Sequence, residues 1–235
     1  MNSSEIIAVI TYDFPHRKTQ DVVFGLKSKG YQNVHLLALP FIQRENPFKP
    51  IYSHRPSKCY NVYPKELAQN FNYSFQKIQK ENLDRIFTEM NPDFILIAGA
   101  GLLPAEVVLN HRIINSHPAY LPEVRGLDAL KWAILQQKTI GVTSHFVNEN
   151  ADAGFMIDRK NVEVYKNDTF HSLAYRQYSI EIEMLIESIE IIKSKTDFPA
   201  LAETGEVNRR MPKSKEKLLL KSFESYQSIF AVDED

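Results

Sequence analysis

An α/β fold with a mostly parallel, doubly wound sheet is what this sequence predicts, and three observations predict it. Short apolar runs alternate with segments of helical spacing over residues 1–195, the pattern of strands joined by crossover helices. The runs read as buried strands, so the sheet is expected to be covered on both faces. A hydrophobic fraction of 43% is ample for that core.

Taken in order, "EIIAVIT" (5–11) is a strand and Thr19 to Lys29 a helix, with Val22, Val23 and Leu26 inside and Gly30 as its stop. "NVHLLALP" (33–40) is the second strand. The stretch 41–72 is rich in Pro, Asn and aromatic residues and is expected to be irregular. "KENLDRIFTEM" (80–90) places Leu83, Ile86, Phe87 and Met90 at helical spacing. "DFILIAGA" (93–100) and "RIINSH" (112–117) are the third and fourth strands, followed by a helix over Leu127 to Gln136. "IGVTSHFV" (140–147) and "FMIDRKNVEV" (155–164) read as further strands. The clearest helix starts near Asp168, where Phe170, Leu173, Ala174, Tyr178, Ile182, Leu185, Ile189 and Ile192 form one apolar stripe. Residues 1–195 are therefore expected to form one domain. Residues 196–235, polar and turn-rich at first, are expected to be a C-terminal extension with one short helix.

Twenty-eight Lys and Arg against 29 Asp and Glu leave no general attraction to nucleic acid or to an anionic membrane. Any anionic ligand must be held by a local cluster. Cys59 is the single cysteine, which excludes an intrachain disulfide and a cysteine-based metal site and suits a reducing cytoplasm. The N-terminus lacks the pattern of a signal peptide. The longest apolar run, "FILIAGAGLL", is too short to span a bilayer.

The fourth strand ends in Asn115, Ser116 and His117. Strand residues two apart share a face, so Asn115 and His117 can point into one cleft beyond a strand end, where ligands of such sheets bind. His145 and Asp152 follow at later strand ends. A carboxylate near an imidazole favours its protonated form, and an imidazolium with a carboxamide can stabilise an oxyanion. No serine or cysteine nucleophile is needed if the substrate brings its own amine.

The segments "INSHPAYLPEVRGLDALKWAI", "GVTSHFV" and "NADAGFMI" resemble the 10-formyltetrahydrofolate-dependent formyltransferases, whose fold is Rossmann-like. The family's Asn-x-His-Pro matches Asn115 to Pro118. Its Leu-Leu-Pro-x-x-(Arg/His)-Gly matches Tyr120 to Gly126, with tyrosine for the first leucine. Its Asp-x-Gly matches Asp152 to Gly154, with the expected histidine at His145. The resemblance implies that Asn115, His117 and Asp152 form the catalytic trio, with Asp152 positioning His117 and helping to move the proton. It implies 10-formyltetrahydrofolate as co-substrate and no metal. The folate is expected between "LIAGAGLL" (96–103) and "VNENADAG" (147–154), against Ile97, Gly99, Gly101, Leu102, Leu103, His145, Asn148 and Asn150.

One departure bears on the amine. Where glycinamide ribonucleotide transformylases have a Gly-Ser-Asn-rich phosphate turn, this chain has "TYDFPHRKTQD" (11–21), with His16, Arg17, Lys18 and Thr19 entering the first helix. A helix N-terminus with basic residues suits an anion. These four residues, with Arg125 and Gly126, are the expected substrate contacts. The departure resembles the sugar N-formyltransferases, which implies a nucleotide-linked amino deoxysugar as substrate, of the kind used in surface polysaccharides. The alternatives are a glycinamide ribonucleotide transformylase or a binding module without catalysis. A methionyl-tRNA formyltransferase is not expected, because that enzyme adds a C-terminal barrel contacting tRNA and this chain ends first. A homodimer is expected, because Leu218, Phe223, Tyr226 and Phe230 would form an apolar stripe that needs cover.

Overall fold

The computed structural model describes residues 4–41, 45–56, 60–149, 154–202 and 206–233. Five parallel strands, β1 (Ile7–Tyr12), β2 (Val34–Leu39), β3 (Ser74–Lys77), β4 (Phe94–Ile97) and β5 (Ile113–His117), lie in the order β3-β2-β1-β4-β5. The strand pair Arg125–Gly126 (β6) and Val207–Asn208 (β9) forms a separate parallel ribbon. The main sheet is completed by β7 (Gly141–Phe146) and β8 (Phe155–Asn161), both antiparallel additions beside β5.

Side-chain alternation divides the core between the two faces of the sheet. Ile7, Val9, Leu36, Leu96 and Ile114 pack against α1 (Arg17–Ser28) and α6 (Phe170–Ser194) through Val22, Val23, Leu26, Ile182, Leu185 and Ile189. Ala8, Ile10, Leu37, Ile95 and Ile113 pack against α3 (Leu83–Met90) and α4 (Ala105–Asn110) through Leu83, Ile86, Phe87 and Val107. The period of two then assigns the end of β5: Asn115 and His117 share the α3/α4 face with Ile113, while Ser116 shares the α6 face with Ile114.

Helix α6 follows its predicted stripe. Its N-cap Thr169 accepts a 3.1 Å hydrogen bond from the Ser172 backbone, and Phe170, Leu173, Tyr178, Leu185 and Ile189 are buried. Three other elements differ from expectation. The stretch 41–72 contains α2 (Pro64–Phe71), started by Pro64 at its first turn and by Glu66 accepting from the Tyr63 backbone. Strand β3 and helix α4 also go beyond the sequence reading. All three are short and owe their order to packing, which local periodicity does not report.

The extension holds more than one helix. Strand β9, α7 (Lys213–Glu216) and α8 (Leu219–Phe230) follow one another, and Met211, Leu219, Phe223 and Tyr226 join a core cluster with Leu130 and Ala133 of α5 (Ala129–Gln136). Half of the expected stripe is therefore covered by the chain itself: Phe223 and Tyr226 are buried, whereas Leu218 and Phe230 are exposed. Lys131 of α5 pairs with Glu216 of α7, both fully buried, and the Glu216 carboxylate also accepts from the Ile51 backbone at 2.8 Å. Removing one partner of such a pair typically costs about 3–5 kcal/mol, so the extension is bound firmly to the rest of the chain. Among the described residues no helix is long and apolar enough to cross a membrane.

Candidate active site

A cavity of about 930 Å³ opens on the α3/α4 side of the sheet, beyond the ends of β4 and β5. Asn115 and His117 reach into it from one face of β5, as their spacing predicts. Strand β7 runs antiparallel beside them, with Asn115 opposite His145 and His117 opposite Thr143. His145 is buried, with Nε2 3.5 Å from Asn115 Nδ2 and Nδ1 3.3 Å from the Phe146 carbonyl. In the tautomer with the proton on Nδ1, the ring donates to the carbonyl and Nε2 accepts from the Asn115 amide. Among the described residues the second N–H of that amide meets no partner, which leaves it for a ligand oxygen.

The turn leaving β5 is held from two sides. Thr143 Oγ1 donates to the Ala119 carbonyl at 2.8 Å and accepts from the Leu121 backbone at 3.0 Å. Gln177 of α6, itself buried, donates to the carbonyls of Pro118 and Gly141, each at 3.0 Å. His117 therefore projects from a rigid strand end, as a preorganised oxyanion site requires.

Of the predicted folate contacts, Ile97, Gly101, Leu102, Leu103, His145 and Asn148 line the cavity. Gly99 does not. Its amide donates to the Ile10 carbonyl, and a Cβ there would come within 2.8 Å of the Tyr12 ring and 3.1 Å of His16 Nδ1, so this glycine serves close packing. Asn150 and the predicted catalytic Asp152 lie outside the described residues, as does Cys59.

The predicted substrate contacts divide. Gly126 lines the cavity, whereas Arg125 is buried, its backbone carbonyl accepting from the Asn208 side-chain amide at 3.0 Å. The glycine is no simple turn residue. Its φ is +92°, and a Cβ would fall on the Asn208 carbonyl, so glycine is what lets β9 approach β6. His16, Arg17, Lys18 and Thr19 lie away from this cavity. Thr19 is fully buried, with its hydroxyl bonded to Thr11 and 3.0 Å from His16 Nδ1. Arg17 pairs with Asp21 at 2.7 Å, and Lys18 turns inward to Glu181 at 2.8 Å. Arg55 reaches the other oxygen of Glu181 at 2.6 Å. The turn expected to contact the substrate anion is thus largely paired within the protein. The Glu181 carboxyl, despite its burial, is held below the usual carboxylate range by Arg55 and Lys18.

Two histidines outside the cavity are half-buried. Burial lowers His16 to a pKa of about 4 and His54 to about 3, helped by neighbouring cations; His171 is exposed. Val147 and Glu149 of the cavity wall belong to the predicted 147–154 loop, whereas sequence reasoning missed Val108 and Leu127, and above all Val207, Asn208 and Arg209 from the extension. Nothing in the sequence links β9 to β6, some 80 residues earlier. Among the described residues no group of three or more His, Cys, Asp or Glu side chains is placed to hold a metal ion.

The sheet and cavity are those of an α/β protein that binds its ligand at the strand ends. A family model described as "Formyl transferase" matches residues 45–189, and the chain belongs to that family. A methionyl-tRNA formyltransferase of Thermodesulfovibrio yellowstonii is 27% identical over 136 residues, 56% of this chain and 44% of the relative. The chain spans about half the length of such curated relatives. In fold it is similar to a phosphoribosylglycinamide formyltransferase from Anaplasma phagocytophilum, at TM-score 0.59 and 21% identity over 86% of this chain and 97% of that one. It is also similar to a sugar N-formyltransferase from a Shewanella species, at TM-score 0.57 and 16% identity over 93% of this chain and 87% of that one.

Proposed function

We propose that this chain transfers the formyl group of 10-formyltetrahydrofolate to the amine of a nucleotide-linked amino deoxysugar. The observation that carries the transfer step is the placement of Asn115 and His117, braced by His145, at the head of the 930 Å³ cavity. Such a volume suits one ligand of folate size. The amine nitrogen adds to the formyl carbon, and the resulting oxyanion accepts from the Asn115 amide and from protonated His117. The bond to folate N10 then breaks, and the amine's proton passes to that nitrogen. Asp152 is proposed to hold His117 protonated and to relay the proton.

The acceptor is inferred from the opposite face of β5. Lys18 and Arg55 surround Glu181 there, two cations against one anion, and Lys18 Nζ lies 3.4 Å from the Ser116 carbonyl, one residue before His117. Their net positive charge favours a phosphorylated amine through its field near the reacting centre rather than through contact, since both cations are paired with Glu181. The first turn lacks the glycine-rich phosphate cradle of a transformylase, which favours a nucleotide sugar over glycinamide ribonucleotide. Solved proteins of similar fold include both kinds. The same reading places the reaction in the cytoplasm, in surface polysaccharide synthesis, with the exposed Leu218, Leu220 and Phe230 of the extension available to a two-fold partner. Steady-state transfer to a panel of nucleotide 3- and 4-amino sugars, with glycinamide ribonucleotide alongside, tests the assignment. Turnover of a nucleotide sugar is expected, and efficient turnover of glycinamide ribonucleotide alone would overturn it.

A further inference from the structure

The C-terminal extension supplies part of the cavity wall, and its one cation there has no use in the steps described above. Strand β9 is held against β6 by backbone and side-chain bonds: Leu127 N to the Asn208 carbonyl at 2.8 Å, Asn208 Nδ2 to the Arg125 carbonyl at 3.0 Å, and Trp132 Nε1 to the Arg209 carbonyl at 2.9 Å. Two residues further, Met211 N donates to the Asp128 carboxylate at 2.9 Å. This anchorage sets Val207, Asn208 and Arg209 into the wall beside Gly126 and Leu127. The Arg209 side chain is exposed at the rim and makes no ion pair among the described residues.

The register of β5 orders the cavity from end to end. Val147 N donates to the Ile113 carbonyl, so the loop carrying Asn148 and Glu149 lies level with the start of the strand. Asn115 stands at the middle of β5, and His117 at its end, from which the chain runs on to β6. Arg209 therefore sits at the end remote from Glu149, the one carboxylate among the described lining residues. Between the two ends the walls are apolar, with Leu102, Leu103, Val108 and Leu127. A ligand with a flat apolar body and an anionic tail matches this order, its tail pointing away from Glu149 and toward Arg209.

We propose that Arg209 binds the glutamate tail of the folate co-substrate, making the 206–211 segment part of the formyl-donor site. This rests on the folate reading above and extends it to a residue outside the matched family region. A guanidinium can take a carboxylate through two parallel N–H donors. Exposure at the rim weakens the pair through solvent screening, so the expected contribution is at the low end for a charge-assisted bond, about tenfold in affinity.

Calorimetric titration of the full chain with 5-formyltetrahydrofolate, and with 5-formyltetrahydropteroate, which lacks the glutamate, tests this. Arg209→Ala is expected to weaken the glutamate-bearing ligand about tenfold and leave the pteroate unchanged, with Arg209→Lys in between. Circular dichroism checks that each variant folds. Equal loss for both ligands, unchanged binding of both, or a loss confined to the amine substrate would overturn the role of Arg209 alone. Binding of neither ligand by the unaltered chain would overturn it together with the formyl-donor reading.

Discussion

The two faces of strand β5 are built from neighbouring residues and do opposite things. On the α3/α4 face, Asn115 and His117 open into a large cavity. On the α6 face, beside Ser116, Lys18 and Arg55 close over the buried Glu181. Both faces are rich in polar groups, so polarity alone does not mark a site. The difference lies in where the hydrogen-bonding capacity goes. The α6 cluster satisfies itself within the protein, while the Asn115 amide, aligned by His145, keeps a donor for a ligand.

That contrast can be broken from either side. The largest effect is expected at Glu181. Glu181→Gln leaves Lys18 buried without its counter-charge and should destabilise the fold by about 3–5 kcal/mol, read by urea denaturation, with folate affinity of the folded fraction preserved. A neutral result would mean that the cluster is not a structural unit. On the other face, His117→Ala should lower turnover about 100- to 1000-fold, as for one lost oxyanion donor, with little change in melting temperature. Near-normal kcat would remove the proposed chemistry, and Asn115→Ala offers an independent check. Between the two lies Gly126→Ala. Its positive φ and the nearby Asn208 carbonyl predict a strain of about 1–3 kcal/mol and a displaced β9, hence weaker folate binding.

Acid should act through the half-buried His16 and His54. The folded chain holds His16 near a pKa of about 4 and His54 near about 3, whereas unfolded histidine titrates near ~6.5. The unfolded state therefore takes up more protons, and stability falls as pH drops from about 6.5 toward 4. Denaturation midpoints at several pH values check this, and His16→Gln with His54→Gln should flatten the curve. The smallest effect is expected at Arg17. Its pair with Asp21 is a partly exposed i,i+4 contact, so Arg17→Ala should cost no more than about 0.5 kcal/mol in stability.

The comparison also shows what the sequence could and could not say. Asn115 and His117 were legible because strand alternation is a local rule and both residues obey it. The partly buried α1 turn was half legible: Asp21 stands four residues from Arg17, an ordinary helical pairing. Glu181, the partner of Lys18, comes 163 residues later, and no periodicity connects them. The same holds for β9. Its pairing with β6 depends on Gly126 having no Cβ, a constraint that the sequence records only as one glycine among turn residues. Short elements such as α2, β3 and α4 were hidden for a related reason, since their order comes from contacts made at long range.

The formyl donor is expected to occupy the α3/α4 face of β5 and to leave the α6 face closed. Histidines mark both regions, so imidazole resonances of the isotopically labelled chain can be followed during titration with 5-formyltetrahydrofolate. Saturable shifts are expected at His117 and His145, which line the cavity, and none at His54, which lies with Arg55 and Glu181 beside α6. Shifts at His54 with His117 and His145 unmoved would contradict it.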